Sequence, residues 1–354
     1  MSESKRIRAL DSIRGLLLFQ MILDHFSGPI SKILYQCFGF FSAAEGFFFL
    51  SGFVGMLAFI GKRKRGENAD WMRLRAFRIW KFHIGTVAFL VLLAFFCLPS
   101  IQHFFTGFYR HPGRGILFAG ILAYTPEWLD VLPLYVFLLL FGSVFFYPMT
   151  NGRLKWVLLL SFVLWGFGQV PFRPFVLRIF PDWVYPGFFD LISWQFLYFI
   201  GAACGVVWKK GTLFSSPSQF LDRIFPIALI VCIACFGWKH ALLGISAPPE
   251  FWISKEHVGL LRLANFMAFV GVISYVVRHR SSWLAFSFCE VVGRHSLEAY
   301  SFHVILVYLW MATPGFIQYR LPWTVLAPIL CVVLVWALSK MLDGRKIKKP
   351  KRIP

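Results

Sequence analysis

The sequence predicts an all-α, polytopic membrane protein with about ten transmembrane helices and with both termini in the cytoplasm. The chain of 354 residues is 58% hydrophobic and only 15% charged. Apolar runs of about 17 to 25 residues, the length that a spanning helix needs, recur from one end to the other. Lys and Arg are concentrated in alternate connections between these runs, and this asymmetry sets the orientation.

The individual elements follow from the apolar runs. The ten spans are predicted at residues 11–28, 39–60, 79–98, 130–148, 154–170, 189–208, 223–239, 257–277, 293–312 and 322–342. With the N-terminus in the cytoplasm, roughly three quarters of the Lys and Arg residues outside the spans fall in the six cytoplasmic segments. The chain has a basic start, but Arg14 interrupts the first apolar run and no small-residue cleavage site follows. We therefore predict a retained first helix rather than a signal peptide.

Charge and cysteine content narrow the function classes. The net charge is +20, but it follows the topology, so no nucleic-acid partner is expected. We predict one transmembrane domain over residues 1–343 and a basic cytoplasmic tail over 344–354 that contacts anionic membrane lipids. Almost all of the seven cysteines lie within or at the ends of the spans, where they act as small apolar residues. Neither a disulfide framework nor a metal site is predicted.

The first span carries ionisable residues on one face. Asp11, Arg14 and His25 fall on one helical stripe with Leu18 and Met21, and Asp11 and His25 are roughly 21 Å apart along the axis. That distance is most of a hydrocarbon core of about 30 Å. Charged groups in hydrocarbon normally face a bundle interior or a water-filled cavity, so a polar track through the membrane is predicted.

His25 is a candidate general base, because Asp24 precedes it and a neighbouring carboxylate can raise the basicity of an imidazole. A hydrogen-bonded histidine at a helix end is the structural alternative. Asp11 and Arg14 have the spacing of an i, i+3 ion pair. A structural charge pair and a functional pair are therefore both open.

Later spans carry further polar residues. Glu45 starts the second span, and a carboxylate that leads into apolar sequence needs a partner. The other aligned residues are Arg262 and Asn265 in the eighth span and Ser296, Tyr300 and His303 in the ninth.

A basic segment leads into the third span. It contains Arg73, Arg75 and Arg78, followed by Lys81. Guanidinium groups suit phosphates, so these residues could hold the nucleotide end of a cofactor. A loop that follows the positive-inside rule is the alternative.

The loop over residues 171–188 is rich in aromatic residues and proline. Trp and Tyr at a membrane face usually anchor the protein in the interface. The same rings beside Asp182 and Asp190 could instead form a sugar-stacking surface, and both interpretations are open.

Several short motifs occur in a fixed order along the chain. They are Leu10-Asp11-Ser12-Ile13-Arg14-Gly15 followed by His25, then Gly46-Phe47-Phe48-Phe49-Leu50-Ser51-Gly52-Phe53, the cluster of Arg73, Arg75 and Arg78, and Gly293-Arg294-His295-Ser296-Leu297-Glu298-Ala299-Tyr300-Ser301-Phe302-His303. Together they resemble the transmembrane acyltransferase superfamily that includes acyltransferase family 3. The resemblance is closest to the OpgC-type branch, named for succinylation of osmoregulated periplasmic glucans. The features typical of that branch are Asp24-His25, Ala43-Ala44-Glu45, Asp130-Val131-Leu132-Pro133-Leu134-Tyr135, and Trp194-Gln195 with Arg262 and Asn265.

The resemblance implies an integral O-acyltransferase of the bacterial inner membrane. Such an enzyme takes a succinyl or acetyl group from cytoplasmic acyl-CoA, its co-substrate, and places it on a hydroxyl of a periplasmic glucan or another extracytoplasmic carbohydrate. It implies no metal, and a homodimer is left open. By position, the resemblance makes His25 the base and gives Asp24, Asp11, Arg14 and Glu45 a place in the catalytic site. It places Arg73, Arg75, Arg78 and Lys81 near the CoA phosphates, and Arg262, Asn265, His303, Tyr300, Trp194 and Gln195 near the substrate or its oxyanion.

Two other functions use the same residues. A transporter or flippase could move a glycan, lipid or anion along the polar track. A non-catalytic subunit of an envelope-glycan assembly would need none of the ionisable residues for chemistry.

Overall fold

All of the regular structure that is described in this protein is helical. The computed structural model describes residues 8–170, 173, 177–209 and 219–347, and none of these residues forms a strand. Within these residues, seven helical stretches are long and apolar enough to cross a membrane. The all-α membrane fold class is thereby confirmed. The total of about ten spans and the cytoplasmic location of the termini stay predictions.

The longer helices account for most of the predicted spans. They are α1 (Arg8–Asp24), α3 (Ala43–Arg63), α4 (Asp70–Phe96), α7 (Val131–Pro148), α8 (Leu154–Gly168), α9 (Leu191–Lys209), α10 (Gln219–Lys239), α12 (Leu260–Arg280), α14 (Ser296–Met311) and α16 (Trp323–Ile347). The short helices are α2 (Pro29–Leu34), α5 (Thr106–Arg110), α6 (Pro112–Gly120), α11 (Glu250–Ile253), α13 (Ser287–Arg294) and α15 (Gly315–Gln318).

Several helix boundaries differ from the sequence prediction, and three of these differences bear on the candidate residues. Helix α1 ends at Asp24 rather than at residue 28, because the glycine and proline at 28 and 29 cannot continue it. Helix α4 begins at Asp70, so the basic segment is its first turns rather than a separate lead-in. The predicted span over 293–312 corresponds to α14, because the chain is non-helical at His295 and the two residues before it belong to the end of α13.

The hairpin between α7 and α8 explains the longest apolar stretch. Val131–Gly168 runs for 38 residues, too long for one crossing of about 30 Å. The chain reverses through Met149–Arg153, where Gly152 has φ +84°. A residue without a side chain adopts this left-handed conformation at little cost. The two separate spans predicted here are therefore two helices.

The chain divides into two compact units. Unit 1 contains Met1–Cys37, Ser42–Phe47 and Val272–Pro354, and unit 2 contains Phe38–Phe41 and Phe48–Gly271. The predicted tail begins at residue 344, but α16 continues to Ile347. Residues 348–354 lie outside the described residues, so the tail remains a prediction.

Unit 1 is held together by backbone contact between α1 and α13. A Cβ on Gly15 would lie 2.0 Å from the carbonyl oxygen of Cys289, and a Cβ on Gly293 would lie 1.9 Å from that of Asp11. Small residues allow helix backbones to approach closely in membranes. Each helix thus supplies one glycine, and this reciprocal contact fixes the position of the polar stripe on α1.

Unit 2 has a second reciprocal pair, between α3 and α9. A Cβ on Gly52 would lie 1.9 Å from the carbonyl oxygen of Tyr198, and a Cβ on Gly201 would lie 2.0 Å from that of Phe49. Gly52 in the Gly46–Phe53 motif is therefore a packing requirement.

Candidate active site

Polar side chains of α1, of His25 directly after it and of α14 form two hydrogen-bonded pairs within unit 1. The guanidinium of Arg14 donates to the hydroxyl of Ser296 over 2.8 Å. Nδ1 of His25 and Nε2 of His303 are 3.0 Å apart and share a hydrogen bond. The residue numbers increase in the same direction on both sides, from Arg14 to His25 and from Ser296 to His303. The polar stripes that were predicted separately on the first and ninth spans therefore face each other.

The two histidines differ in accessibility. His303 is fully buried, whereas His25 is partly exposed. The Tyr300 ring packs edge-on against His303, with ring centroids 4.9 Å apart. His303 is thus shielded by its own helix and by His25, and His25 is the member of the pair that a substrate could reach.

The position of His25 follows from the end of α1. It is the first residue after the helix, and its N–H still bonds to the carbonyls of Met21 and Ile22, each over 3.2 Å. His25 therefore stays close to the helical stripe, although the helix ends before it and not at residue 28 as predicted. A base at a helix end has room to turn toward a substrate.

The two aspartates of the first span lie at different depths. Asp11 is buried, and its backbone carbonyl lies against Gly293. Asp24 is partly exposed, and its backbone carbonyl accepts a hydrogen bond from Ser31 over 3.2 Å. Burial and the Asp24 carboxylate together raise the pKa of the Cys37 thiol, so the charge of Asp24 reaches that residue.

Glu45 has the partner that its burial requires. The side chain is fully buried, and Oε2 accepts hydrogen bonds from the backbone N–H and the hydroxyl of Ser42, over 2.9 and 2.8 Å. Ser42 and Glu45 have the Ser-x-x-Glu spacing of a capping box at the start of α3. The sequence contains this signal, although the prediction for Glu45 named no partner.

Arg262 and Asn265 are both buried on α12, within unit 2. Nε of Arg262 donates to the carbonyl of Ile253 over 2.8 Å, and Oδ1 of Asn265 accepts the N–H of Phe40 over 2.7 Å. Nδ2 of Asn265 is buried and makes no hydrogen bond among the described residues. A buried donor without a partner destabilises the folded protein by about 1–3 kcal/mol. This amide N–H is therefore available to donate a hydrogen bond to a ligand.

Trp194 and Gln195 bind other parts of unit 2. The indole N–H of Trp194 donates to the carbonyls of Lys255 and Glu256. The Gln195 amide accepts from the hydroxyl of Ser161 over 2.6 Å and donates to the Ser161 carbonyl over 2.8 Å. Trp194 thus holds the loop before α12, and Gln195 ties α9 to α8.

The four basic residues of α4 do not share one face. Arg75 is partly buried, and its guanidinium lies 5.7 Å from the centre of the Tyr135 ring. Arg73, Arg78 and Lys81 are exposed. Only Arg75 of these four therefore turns toward the interior of unit 2.

Comparison with known proteins identifies the family of this chain. The family model described as OpgC protein matches residues 5–347. No curated protein and no solved structure matches the chain. The family match covers nearly the whole chain and implies a membrane acyltransferase that acts on glucans. On this match, and in agreement with its helical membrane fold, the chain belongs to the OpgC protein family.

Proposed function

We propose that this protein transfers an acyl group, succinyl or acetyl, from cytoplasmic acyl-CoA to a hydroxyl of a periplasmic glucan or another extracytoplasmic carbohydrate. His25 acts as the general base. The observation that supports this proposal is the 3.0 Å hydrogen bond between His25 and His303. A base must be accessible and must present a ring nitrogen with a lone pair. The proposal is supported by the partial exposure of His25 and by the contact of its Nδ1 with His303.

The proposal requires one tautomer of each ring. Nδ1 of His303 is buried and makes no hydrogen bond among the described residues, and the proposal assigns the proton of His303 to this atom. Nε2 of His303 then accepts a hydrogen bond, and Nδ1–H of His25 donates it. A neutral imidazole carries one proton, so in this arrangement the lone pair that acts as the base is on Nε2 of His25.

The reaction then proceeds by direct transfer. Nε2 of His25 removes the proton of a sugar hydroxyl as that oxygen attacks the thioester carbonyl. The tetrahedral intermediate expels the CoA thiolate, which takes the proton back from the His25 imidazolium. The new ester bond replaces the thioester bond, and free CoA leaves as the thiol. His303 stabilises the imidazolium while it exists.

Residues of unit 2 are proposed for binding. The buried Nδ2 of Asn265 makes no hydrogen bond among the residues described, so it is able to donate to a substrate oxygen. Arg75, with Arg73, Arg78 and Lys81 on the same helix, attracts the CoA phosphates from the cytoplasmic side.

The test measures free CoA release by purified protein in nanodiscs. Succinyl-CoA and acetyl-CoA are each supplied with and without a soluble β-glucan. Wild-type protein should release CoA faster with the glucan, and the preferred donor identifies the acyl group. His25→Ala should lower the rate by about 10²- to 10⁴-fold, because it removes the base.

His103→Ala is the matched control. His103 is an exposed histidine whose Nδ1 lies 3.0 Å from the Ser100 carbonyl, so its removal should leave CoA release unchanged. Full glucan-dependent release by folded His25→Ala protein would refute the proposed base. Glycan movement into sealed vesicles without any CoA release would favour a transporter instead.

A further inference from the structure

One end of unit 2 carries a cluster of charged and aromatic side chains that the proposed chemistry does not use. It lies where α8 ends and where α7, α9 and α12 begin. Tyr185 and Phe188 are 40% and 38% exposed there. Four charged groups surround the Tyr185 phenol and influence its pKa, namely Asp130, Arg173, Glu256 and Glu127. We call these six residues, with Lys255, the aromatic–carboxylate patch.

Acidic and basic side chains of the patch lie next to one another, so that their charges offset each other. Arg173 forms an ion pair with Glu256. The ammonium of Lys255 lies 5.9 Å from the centre of the Phe188 ring and also acts on the Asp130 carboxylate. Because acids and bases are interspersed, the patch has no strong field of one sign that would attract a polyanion. Carboxylates, a phenol and exposed ring faces instead suit a neutral ligand with many hydroxyl groups.

The backbone that carries Tyr185 and Phe188 is immobilised. The carbonyl of Tyr185 accepts the N–H of Thr125 over 2.7 Å, and the N–H of Phe188 donates to Oδ2 of Asp130 over 3.1 Å. Arg173 donates to the carbonyls of both Gly187 and Phe188. Gly187 has φ +98°, and a Cβ on it would lie 2.8 Å from Cβ of Asp130. Only glycine fits this turn, which sets the two rings in place.

The adjoining loop, residues 254–259, is fixed by side-chain donors. Besides Trp194, Gln169 donates to the carbonyl of His257 over 2.7 Å, and Trp165 donates to that of Val258 over 2.9 Å. Val258 has φ +52°, a strained conformation for a β-branched residue. Strain of this kind persists where the surroundings over-determine the backbone and is typical of functional loops. The loop therefore presents Lys255 and Glu256 in a preorganised geometry.

The phenol of Tyr185 remains protonated at physiological pH. Burial is the main cause that raises its pKa to about 12, and Asp130 adds to the effect. At neutral pH the hydroxyl is therefore a hydrogen-bond donor as well as an acceptor.

We propose that the aromatic–carboxylate patch is a binding site for the acceptor glucan, with sugar rings stacked on Tyr185 and Phe188 and sugar hydroxyls bonded to the surrounding carboxylates. This inference rests on the proposed function, in which the connections that precede α7, α9 and α12 lie on the extracytoplasmic side. A preorganised aromatic surface binds a flexible chain with a smaller entropic cost than mobile loops would.

The experiment measures binding and turnover separately. Isothermal titration of a soluble β-glucan oligosaccharide into protein in nanodiscs, without any acyl donor, gives the affinity. Phe188→Ala and Tyr185→Ala should each weaken binding and raise the KM for the glucan by about 3- to 10-fold. The KM for acyl-CoA should not change. Phe188→Tyr, which keeps a ring face, should restore most of the affinity.

Phe316→Ala and Tyr319→Ala are the matched controls, because these two residues of unit 1 are 73% and 76% exposed. Neither should affect glucan binding. The inference would be overturned if both patch variants kept the glucan affinity and the KM of the wild type. Variants that only lose stability would also overturn it, because that result indicates that the two rings anchor the protein in the membrane interface. Wild-type protein that binds the glucan but releases no CoA would contradict the proposed function and leave the binding site standing.

Discussion

At the scale of single residues, the histidine pair decides which chemistry is available. His25 and His303 are separated by 278 positions in the chain, yet their ring nitrogens are within hydrogen-bond distance. Both residues could be predicted from the sequence, but their pairing could not. Arg14 and Ser296 are a second pair of this kind. Glu45, in contrast, has its partner only three residues away, where local sequence is sufficient to find it.

The pair leads to a prediction for His303. His303→Leu should lower kcat by about 10- to 150-fold, because a hydrogen bond to a charged group is worth about 1.5–3 kcal/mol and His25 is charged during transfer. His303→Gln keeps a hydrogen-bond acceptor and should retain more activity than the leucine variant. Steady-state CoA release at saturating substrate measures both.

Two further results bear on this prediction. The KM values for acyl-CoA and glucan should remain near those of the wild type, since His303 is buried behind His25. Equal kcat values for the leucine and glutamine variants would argue that His303 only fills space.

At the scale of the elements, glycine contacts determine how the helices are placed. Gly15 and Gly293 bring α1 and α13 into backbone contact in unit 1, and Gly52 and Gly201 do the same for α3 and α9 in unit 2. The sequence motifs contain three of these glycines, and helical periodicity alone gives no reason for them. The helix ends were predicted less well than the helices, because Gly28-Pro29 and the break at His295 depend on local backbone geometry.

The glycine contacts can be tested by adding one methyl group. Gly15→Ala and Gly293→Ala should each destabilise the protein by about 2 kcal/mol or more, because overpacked sites must shift backbone or neighbours. Gly166→Ala is the control, since no atom lies within 4 Å of a Cβ at that exposed helical position. It should be neutral or more stable by up to about 1 kcal/mol. Thermal unfolding in detergent compares the three variants, and equal melting temperatures for all of them would contradict the packing argument.

At the scale of the whole molecule, length and hydropathy indicate a membrane protein, and the distribution of charge predicts its orientation. In the part of the chain that the structure describes, seven helical stretches satisfy the requirements of length and composition for a membrane span. Helices α1 and α14, with 17 and 16 residues, are shorter than the roughly 20 residues of a typical span. Together with His25, which directly follows α1, polar residues of these two helices form the Arg14–Ser296 and His25–His303 pairs of the candidate active site.

The predicted orientation can be measured with reporter fusions. A fluorescent protein that matures only in the cytoplasm should be bright when it follows Lys64 or Pro354 and dark when it follows Gly113. Alkaline phosphatase, which is active only outside the cytoplasm, should give the reverse pattern at the same three positions. A bright fusion at Gly113, or an active phosphatase at Pro354, would reject the topology with both termini in the cytoplasm.

The sequence by itself determined the fold class and the kinds of residue available for chemistry. Backbone polar groups must be satisfied within each span of a membrane, so long apolar runs leave helices as the structure that this chain adopts. The sequence did not decide that His25 meets His303, or that Arg75 alone of its cluster turns inward. Those contacts join positions far apart in the chain or depend on which helix face is covered. They are fixed only when glycine contacts set the approach of the helices, which is why the tertiary structure decided them.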